Sequence, residues 1–150
     1  MYYYIIPIIL QGLLMILDEF IFHQSRLLPR WERIGHPVDT LLFLLPILNL
    51  ITTPNSNFYF ILSILSCLVI TKDEFIHSHV CSGVEQWIHS LLFILHPISL
   101  YCLWEISSLS GQTIIYLIAV SILFLFIYQI FYWRPWWSQK RLLTMKSMNN

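Results

Sequence analysis

Long apolar stretches alternate with short polar breaks along the whole chain. The breaks hold Pro29 and Gly35, then the segment TTPNSN at 52–57, the triplet CSG at 81–83 and the segment SSLSG at 107–111. A helix needs about 20 apolar residues to cross the hydrocarbon core of a bilayer. We therefore predict an all-α integral membrane protein with about five transmembrane helices, over residues 2–22, 36–51, 58–77, 85–104 and 113–133.

Composition supports a membrane protein. Of the 150 residues, 57% are hydrophobic and only 11% are charged, whereas soluble domains carry roughly 25% charged residues. The three cysteines are scattered, which argues against a disulfide framework and against a thiolate metal site. The segment MYYYIIPIIL lacks the positive region of a signal peptide, so we interpret it as the start of a retained helix.

Charge placement predicts an orientation. If five helices cross the membrane, every basic residue falls on one side, and the positive-inside rule makes that side cytoplasmic. The N-terminus then lies outside and the C-terminus in the cytoplasm. We expect the membrane to be a bacterial-type inner membrane or a plasma membrane. Residues 134–150 are predicted to form a basic tail at the membrane surface. The basic residues are Arg26, Arg30, Arg33, Lys72, Arg134, Lys140, Arg141 and Lys146.

The first two predicted helices resemble the next two. The segment DEFI at 18–21 recurs at 73–76, and Glu32-x-x-x-His36 recurs as Glu85-x-x-x-His89. Because each unit contains two spans, both copies run in the same direction and form a parallel repeat. We predict a single transmembrane domain over residues 1–133, in which the repeats at about 2–51 and about 58–104 build a four-helix bundle and the fifth span at about 113–133 flanks it.

Acidic and histidine side chains concentrate in this repeat, which holds seven of the eight acidic residues and all six histidines. Residues four apart share one face of a helix, and a Glu-x-x-His spacing supplies ligands in di-iron four-helix bundles. The two matching sets predict a metal site at the cytoplasmic boundary. The predicted ligands are Glu19, His23, Glu32, His36, Glu74, His77, Glu85 and His89, and which of His23, His77 and His79 ligate is left open.

A second group of residues is expected to orient those ligands. On an α-helix Asp18 points about 100° away from Glu19, so we assign it to this group. Pro37 follows His36 and disfavours helical geometry there, which predicts that His36 lies at a loop-to-helix junction. The expected orienting residues are Asp18, Asp39, Asp73, His79 and His96.

Oxygen and nitrogen donors without cysteine suit iron, with manganese and zinc as alternatives. Two equal ligand sets suit two ions about 3.5–4 Å apart. The leading hypothesis is a di-iron oxidoreductase that uses O₂ on a lipid-soluble substrate at the cytoplasmic face, with electrons from a cytoplasmic donor. The sequence lacks the clustered HxxHH boxes of membrane desaturases and alkane hydroxylases, so the likeness to di-iron proteins is one of ligand types alone.

Other interpretations of the same residues stay open. A zinc-dependent intramembrane hydrolase of a lipid ester or amide would use the same donors. A membrane accessory protein could also bind metal at these residues without catalysing a reaction. Alternatively, the acidic residues could form a structural network of salt bridges with the basic residues, which would require no metal. Membrane lipids are expected partners, and no nucleic-acid-binding patch is present.

Overall fold

The computed structural model describes residues 2–23, 30–52, 54–72, 81–133 and 146–147, and of residues 30–32 the backbone only. Every regular element in these ranges is helical, so the prediction of an all-α protein is confirmed. The elements are α1 (Tyr2–Leu17), which continues as a π-helical turn over Asp18–Phe22, then α2 (Arg30–Thr52), α3 (Ser56–Ile70), α4 (Gly83–Ser108) and α5 (Gln112–Tyr132).

Four helical segments are long and apolar enough to cross a membrane: Tyr2–Phe22, Arg33–Thr52, Gly83–Ser108 and Gln112–Tyr132. Helix α3 has 15 residues, which at 1.5 Å per residue reach about 22 Å and fall short of a bilayer core of about 30 Å. The predicted third span at 58–77 extends into residues outside the described ranges. Its crossing, the orientation and the tail at 134–150 therefore stay predictions.

The outward faces of the helices are apolar. Tyr3 is 86% exposed, Leu117 64% and Phe124 69%. Soluble monomers rarely expose apolar patches on this scale, whereas lipid requires them. These surfaces are consistent with a protein that lies in a membrane.

Proline lies inside α2, which corrects one expectation from the sequence. The helix begins at Arg30 and continues through Pro37 and Pro46, so that His36 is helical and the predicted loop-to-helix junction is wrong. Pro37 has no N–H to donate to the carbonyl of Arg33. Such losses are tolerated in membrane helices because neighbouring groups satisfy the freed carbonyl.

Helix α1 packs mainly against α4, whereas α2 packs against both α3 and α5. In the predicted repeat α1 corresponds to α3 and α2 to α4, so a twofold axis would map the α1–α4 pair onto the α2–α3 pair. The repeat and the four-helix bundle themselves stay predictions. Buried apolar side chains from α2 to α5 form a core at the end of the helices away from Asp18. We call this set the apolar core: Ile47, Leu50, Tyr59, Leu100, Leu103, Ile106, Ile115 and Ala119.

Candidate metal centre

The π-helical turn at the end of α1 places two neighbouring acidic residues in the interior. In a π-helix each N–H bonds to the carbonyl five residues earlier, and here the N–H of His23 bonds to the carbonyl of Asp18. Asp18 and His23 therefore lie on the same side of the turn. Asp18, Glu19 and His23 are all buried, a costly arrangement for carboxylates unless they are compensated.

Asp18 and His23 meet two residues of α4. One oxygen of Asp18, Oδ2, lies 3.3 Å from His23 Nδ1, and the other, Oδ1, lies 3.0 Å from His89 Nε2. Glu85 Oε1 lies 3.8 Å from His23 Nε2. Each of the four side chains offers one potential ligand atom, and these atoms all lie within 4.8 Å of one another. We call these buried residues the Asp18 group.

A second set of donors adjoins the first. Potential ligand atoms of Glu19, His23 and His36 also lie within 4.8 Å of one another, and the rings of His23 and His36 are 4.4 Å apart between centroids. We call this set the Glu19 group. His23 belongs to both groups, so the two lie side by side, and together they form the His23 cluster of Asp18, Glu19, His23, His36, Glu85 and His89.

A capping box begins α4 and fixes Glu85. The Ser82 hydroxyl accepts a hydrogen bond from the Glu85 backbone N–H at 3.3 Å, and Glu85 Oε2 accepts one from the Ser82 N–H at 3.4 Å. These reciprocal bonds satisfy two N–H groups at the start of the helix. They leave the other carboxylate oxygen of Glu85 directed towards His23.

Helix α5 and Trp133, the residue that caps its C-terminal end, hold the Glu19 carboxylate. Gln129 Nε2 donates to Glu19 Oε2 at 3.2 Å, and Trp133 Nε1 donates to Oε1 at 2.7 Å. The Thr40 hydroxyl of α2 donates to Gln129 Oε1 at 2.7 Å and so orients that amide. The sequence pattern does not reveal these residues as part of the site, because α5 contains no acidic residue or histidine. The available signal is Gln129, an amide in an otherwise apolar stretch.

The chemistry of the donors fits a metal ion. Carboxylate oxygens and imidazole nitrogens are the common ligands of iron, manganese and zinc, and the His23 cluster contains three acidic residues and three histidines. All of them except His36 are buried. Buried carboxylates close together require positive charge nearby. A bound cation would supply that charge.

The structure brings together every predicted ligand whose side chain it describes. These are Glu19, His23, His36, Glu85 and His89, and they are joined by Asp18, which was expected only to orient a ligand. Both Asp39 oxygens accept hydrogen bonds from Lys72 Nζ, at 2.6 and 2.7 Å. His96 lies seven residues beyond His89 on α4. Outside the described part lie the side chain of Glu32 and the residues Asp73, Glu74, His77 and His79.

A cavity of about 100 Å³ adjoins the cluster. Its lining includes Asp18, Glu19, His36 and His89 of the cluster. It also includes Gln11 and His96, which lie seven residues away along α1 and α4, about 10 Å from the cluster. The remaining walls are mainly apolar and also include the polar residues Asp39, Thr40 and Gln129; the apolar ones are Met15, Phe43, Ile70, Leu92, Phe93 and Leu125. A mainly apolar pocket with a few convergent polar groups is typical of a small-molecule site.

Comparisons with models of protein families, with curated proteins and with solved structures found no match. A fold alone does not define a function, which resides in the chemistry of a site. The function of this chain therefore rests on the His23 cluster and the cavity beside it.

Proposed function

We propose that the chain is a membrane-embedded metalloprotein whose His23 cluster binds two iron ions and that it oxidises a lipid-soluble substrate with O₂. The observation that carries this proposal is the convergence of six carboxylate and imidazole side chains on two adjoining donor groups with a shared His23. Glu32, Glu74 and His77 are further proposed ligands, on the basis of the repeated sequence.

The residues of the chain have distinct roles in this proposal. Iron with such ligands supplies the redox chemistry of O₂. The carboxylates of Asp18, Glu19 and Glu85 balance the charge of the ions. Gln129 and Trp133 fix the Glu19 carboxylate, because both of its oxygens accept a hydrogen bond from α5. Hydrogen-bonded partners of this kind orient metal ligands and commonly raise metal affinity 10- to 100-fold.

The cavity supports a lipid-soluble substrate. Its mainly apolar walls extend from the cluster into the space between the helices. A hydrocarbon group is better accommodated there than an ionic group. Reduction of O₂ to the level of water takes four electrons. In this proposal two come from the substrate and two, with the accompanying protons, from a cytoplasmic electron donor.

Elemental analysis of the detergent-purified protein tests the proposal. We expect close to two iron ions per chain in the wild type and a large loss of iron in Glu19→Gln and in Glu85→Gln, since each variant removes one carboxylate. Glu105→Gln is the matched control, because Glu105 lies outside the His23 cluster, and it should retain its iron.

Two results would overturn parts of this proposal. Unchanged metal content in both cluster variants, with monodisperse protein, would show that the cluster is not a metal site. Zinc alone in the wild type would exclude the oxidoreductase and favour the metal-dependent hydrolase of a lipid ester or amide.

A further inference from the structure

Two polar contacts join α1 and α4 at different levels. Asp18 Oδ1 meets His89 Nε2 at the cluster, and Gln11 Nε2 meets His96 Nδ1 at 3.2 Å. Each pair is seven residues from the other along both helices, so that α1 and α4 run antiparallel. Seven residues of α-helix rise about 10 Å. The Gln11–His96 contact therefore lies about 10 Å from the cluster, at the other end of the cavity.

Both ring nitrogens of His96 are already engaged. A neutral imidazole has one acceptor and one donor nitrogen. Nδ1 accepts from the Gln11 amide, and Nε2 donates to the Ser66 hydroxyl at 2.9 Å. Since all three side chains are buried, this arrangement fixes the Gln11 amide rather than leaving His96 to bind a ligand.

The amide oxygen of Gln11 is a buried acceptor to which no described residue donates a hydrogen bond. Gln11 is only 4% exposed, and its Oε1 makes no hydrogen bond to any residue that the structure describes. Gln11 lines the cavity, whose neighbouring walls are Met15, Phe43 and Leu92. A buried acceptor without a donor is unfavourable, so the deep end of the cavity is suited to a ligand that donates one hydrogen bond.

A hydroxyl group on an apolar molecule suits this end better than water does. A buried water needs two to four polar partners, whereas Gln11 Oε1 is the one unpaired acceptor that the described residues place at this end. The cavity volume of about 100 Å³ extends over the roughly 10 Å between the cluster and the Gln11–His96 contact, so the cavity is narrow for its length. A narrow cavity favours a slender alkyl chain over a ring.

We infer that the substrate is an aliphatic alcohol whose hydroxyl donates to Gln11 Oε1, with its chain along the apolar walls towards the His23 cluster. This inference rests on the proposed function and names its substrate class. It makes Gln11 a residue that selects the substrate, and it places Ser66 and His96 behind it as positioning residues.

Fluorine NMR titration of the purified protein with 6-fluoro-1-hexanol tests this inference. We expect saturable binding to the wild type that is about tenfold weaker in Gln11→Met, because one hydrogen bond is lost while the side-chain length is kept. 1-Fluorohexane has no hydroxyl and should bind both proteins equally. Ser121→Ala on the exposed face of α5 is the control and should match the wild type.

A second variant keeps the test decisive if Gln11→Met does not yield monodisperse protein. Leu92→Trp fills the cavity from α4 without changing the amide, and it should abolish binding of both probes. Equal alcohol affinity in the wild type and Gln11→Met, or no preference for the alcohol over the alkane, would overturn the inference. Tighter binding of 4-fluorocyclohexanol than of the linear alcohol would overturn the choice of a chain over a ring.

Metal content separates this inference from the proposed function. Gln11→Met should keep its full complement of iron, because Gln11 lies about 10 Å from the cluster. Loss of alcohol selectivity with iron retained supports the inference. Selective alcohol binding in a protein without iron would refute the proposed function and leave the binding site intact.

Discussion

The two ends of the helices are built on different principles. At one end the apolar core packs Ile47, Leu103 and Ile115 with almost no exposed surface. At the other end α2 and α4, together with the π-helical turn at the end of α1, bring together the His23 cluster, in which buried carboxylates lie against imidazoles. Close packing stabilises the first end without any ligand, whereas the second requires compensation of its charge. The apolar core thus fixes the positions of α2, α4 and α5, whose polar side chains lie at the other end, in or beside the His23 cluster.

His23 belongs to both donor groups of the cluster, so its substitution should have the largest effect on the end of the helices that depends on bound charge. His23→Ala removes a donor from both groups at once, so we expect loss of nearly all bound metal. His36→Ala removes a donor from the Glu19 group alone and should retain part of the metal. Elemental analysis compares the two variants. Equal metal loss in both would show that His23 does not join two sites.

A cavity made by mutation in the apolar core should lower the free energy of unfolding and leave metal binding unchanged. Leu103 is fully buried, and a Leu→Ala change in a packed core costs about 2–5 kcal/mol of unfolding free energy. We expect Leu103→Ala to lose about 2–3 kcal/mol in detergent unfolding, at the low end because lipid does not drive burial as water does. Its metal content in the folded state should stay unchanged. Leu117→Ala, on an exposed face, is the matched control.

The hydrogen bonds from α5 should affect metal affinity and not folding. Trp133→Phe keeps the aromatic ring and removes the donor to Glu19 Oε1, so we expect metal to bind about tenfold more weakly. Competition with a chelator measures this change. Trp87→Phe, at a site 66% exposed, should show wild-type affinity. An unaltered affinity in Trp133→Phe would mean that Glu19 needs no support from α5.

The smallest effect is expected one bond farther from the cluster. Thr40 donates to Gln129, which in turn donates to Glu19. Thr40→Val keeps the shape and removes the hydroxyl, and the freed Gln129 amide should weaken metal binding by about two- to fivefold. The chelator competition used for Trp133 detects this change. A loss as large as that of Trp133→Phe would contradict an indirect role for Thr40.

The fold is predictable where apolar length alone decides it. The apolar stretches indicate the helices, and the structure changes mainly their ends and the behaviour of Pro37, which α2 accommodates. A simple apolar pattern does not predict that α3 ends at Ile70, because a helix end is fixed by local hydrogen bonds such as that of the Thr71 N–H to the Leu68 carbonyl.

The candidate site is predictable in its residue types and less so in its geometry. The repeated acidic and histidine residues of the sequence are enough to indicate Glu19, His36 and His89. Regular α-helical periodicity places Asp18 outside the ligands, and the π-helical turn changes that periodicity. Gln129 cannot be assigned a partner from the sequence, because no local pattern shows which helix a lone amide will contact.

The π-helical turn has a consequence for how this chain tolerates changes in length. A π-turn is in effect one residue inserted into an α-helix. In a continuous α-helix, residues five apart point about 140° away from each other, so Asp18 and His23 share a side only because of this turn. Deleting Ile21 should restore continuous α-helix and leave the two residues four apart, a spacing that keeps them on one face. Inserting one residue between them should separate them instead, so the cluster should tolerate a shorter segment at 18–23 and not a longer one.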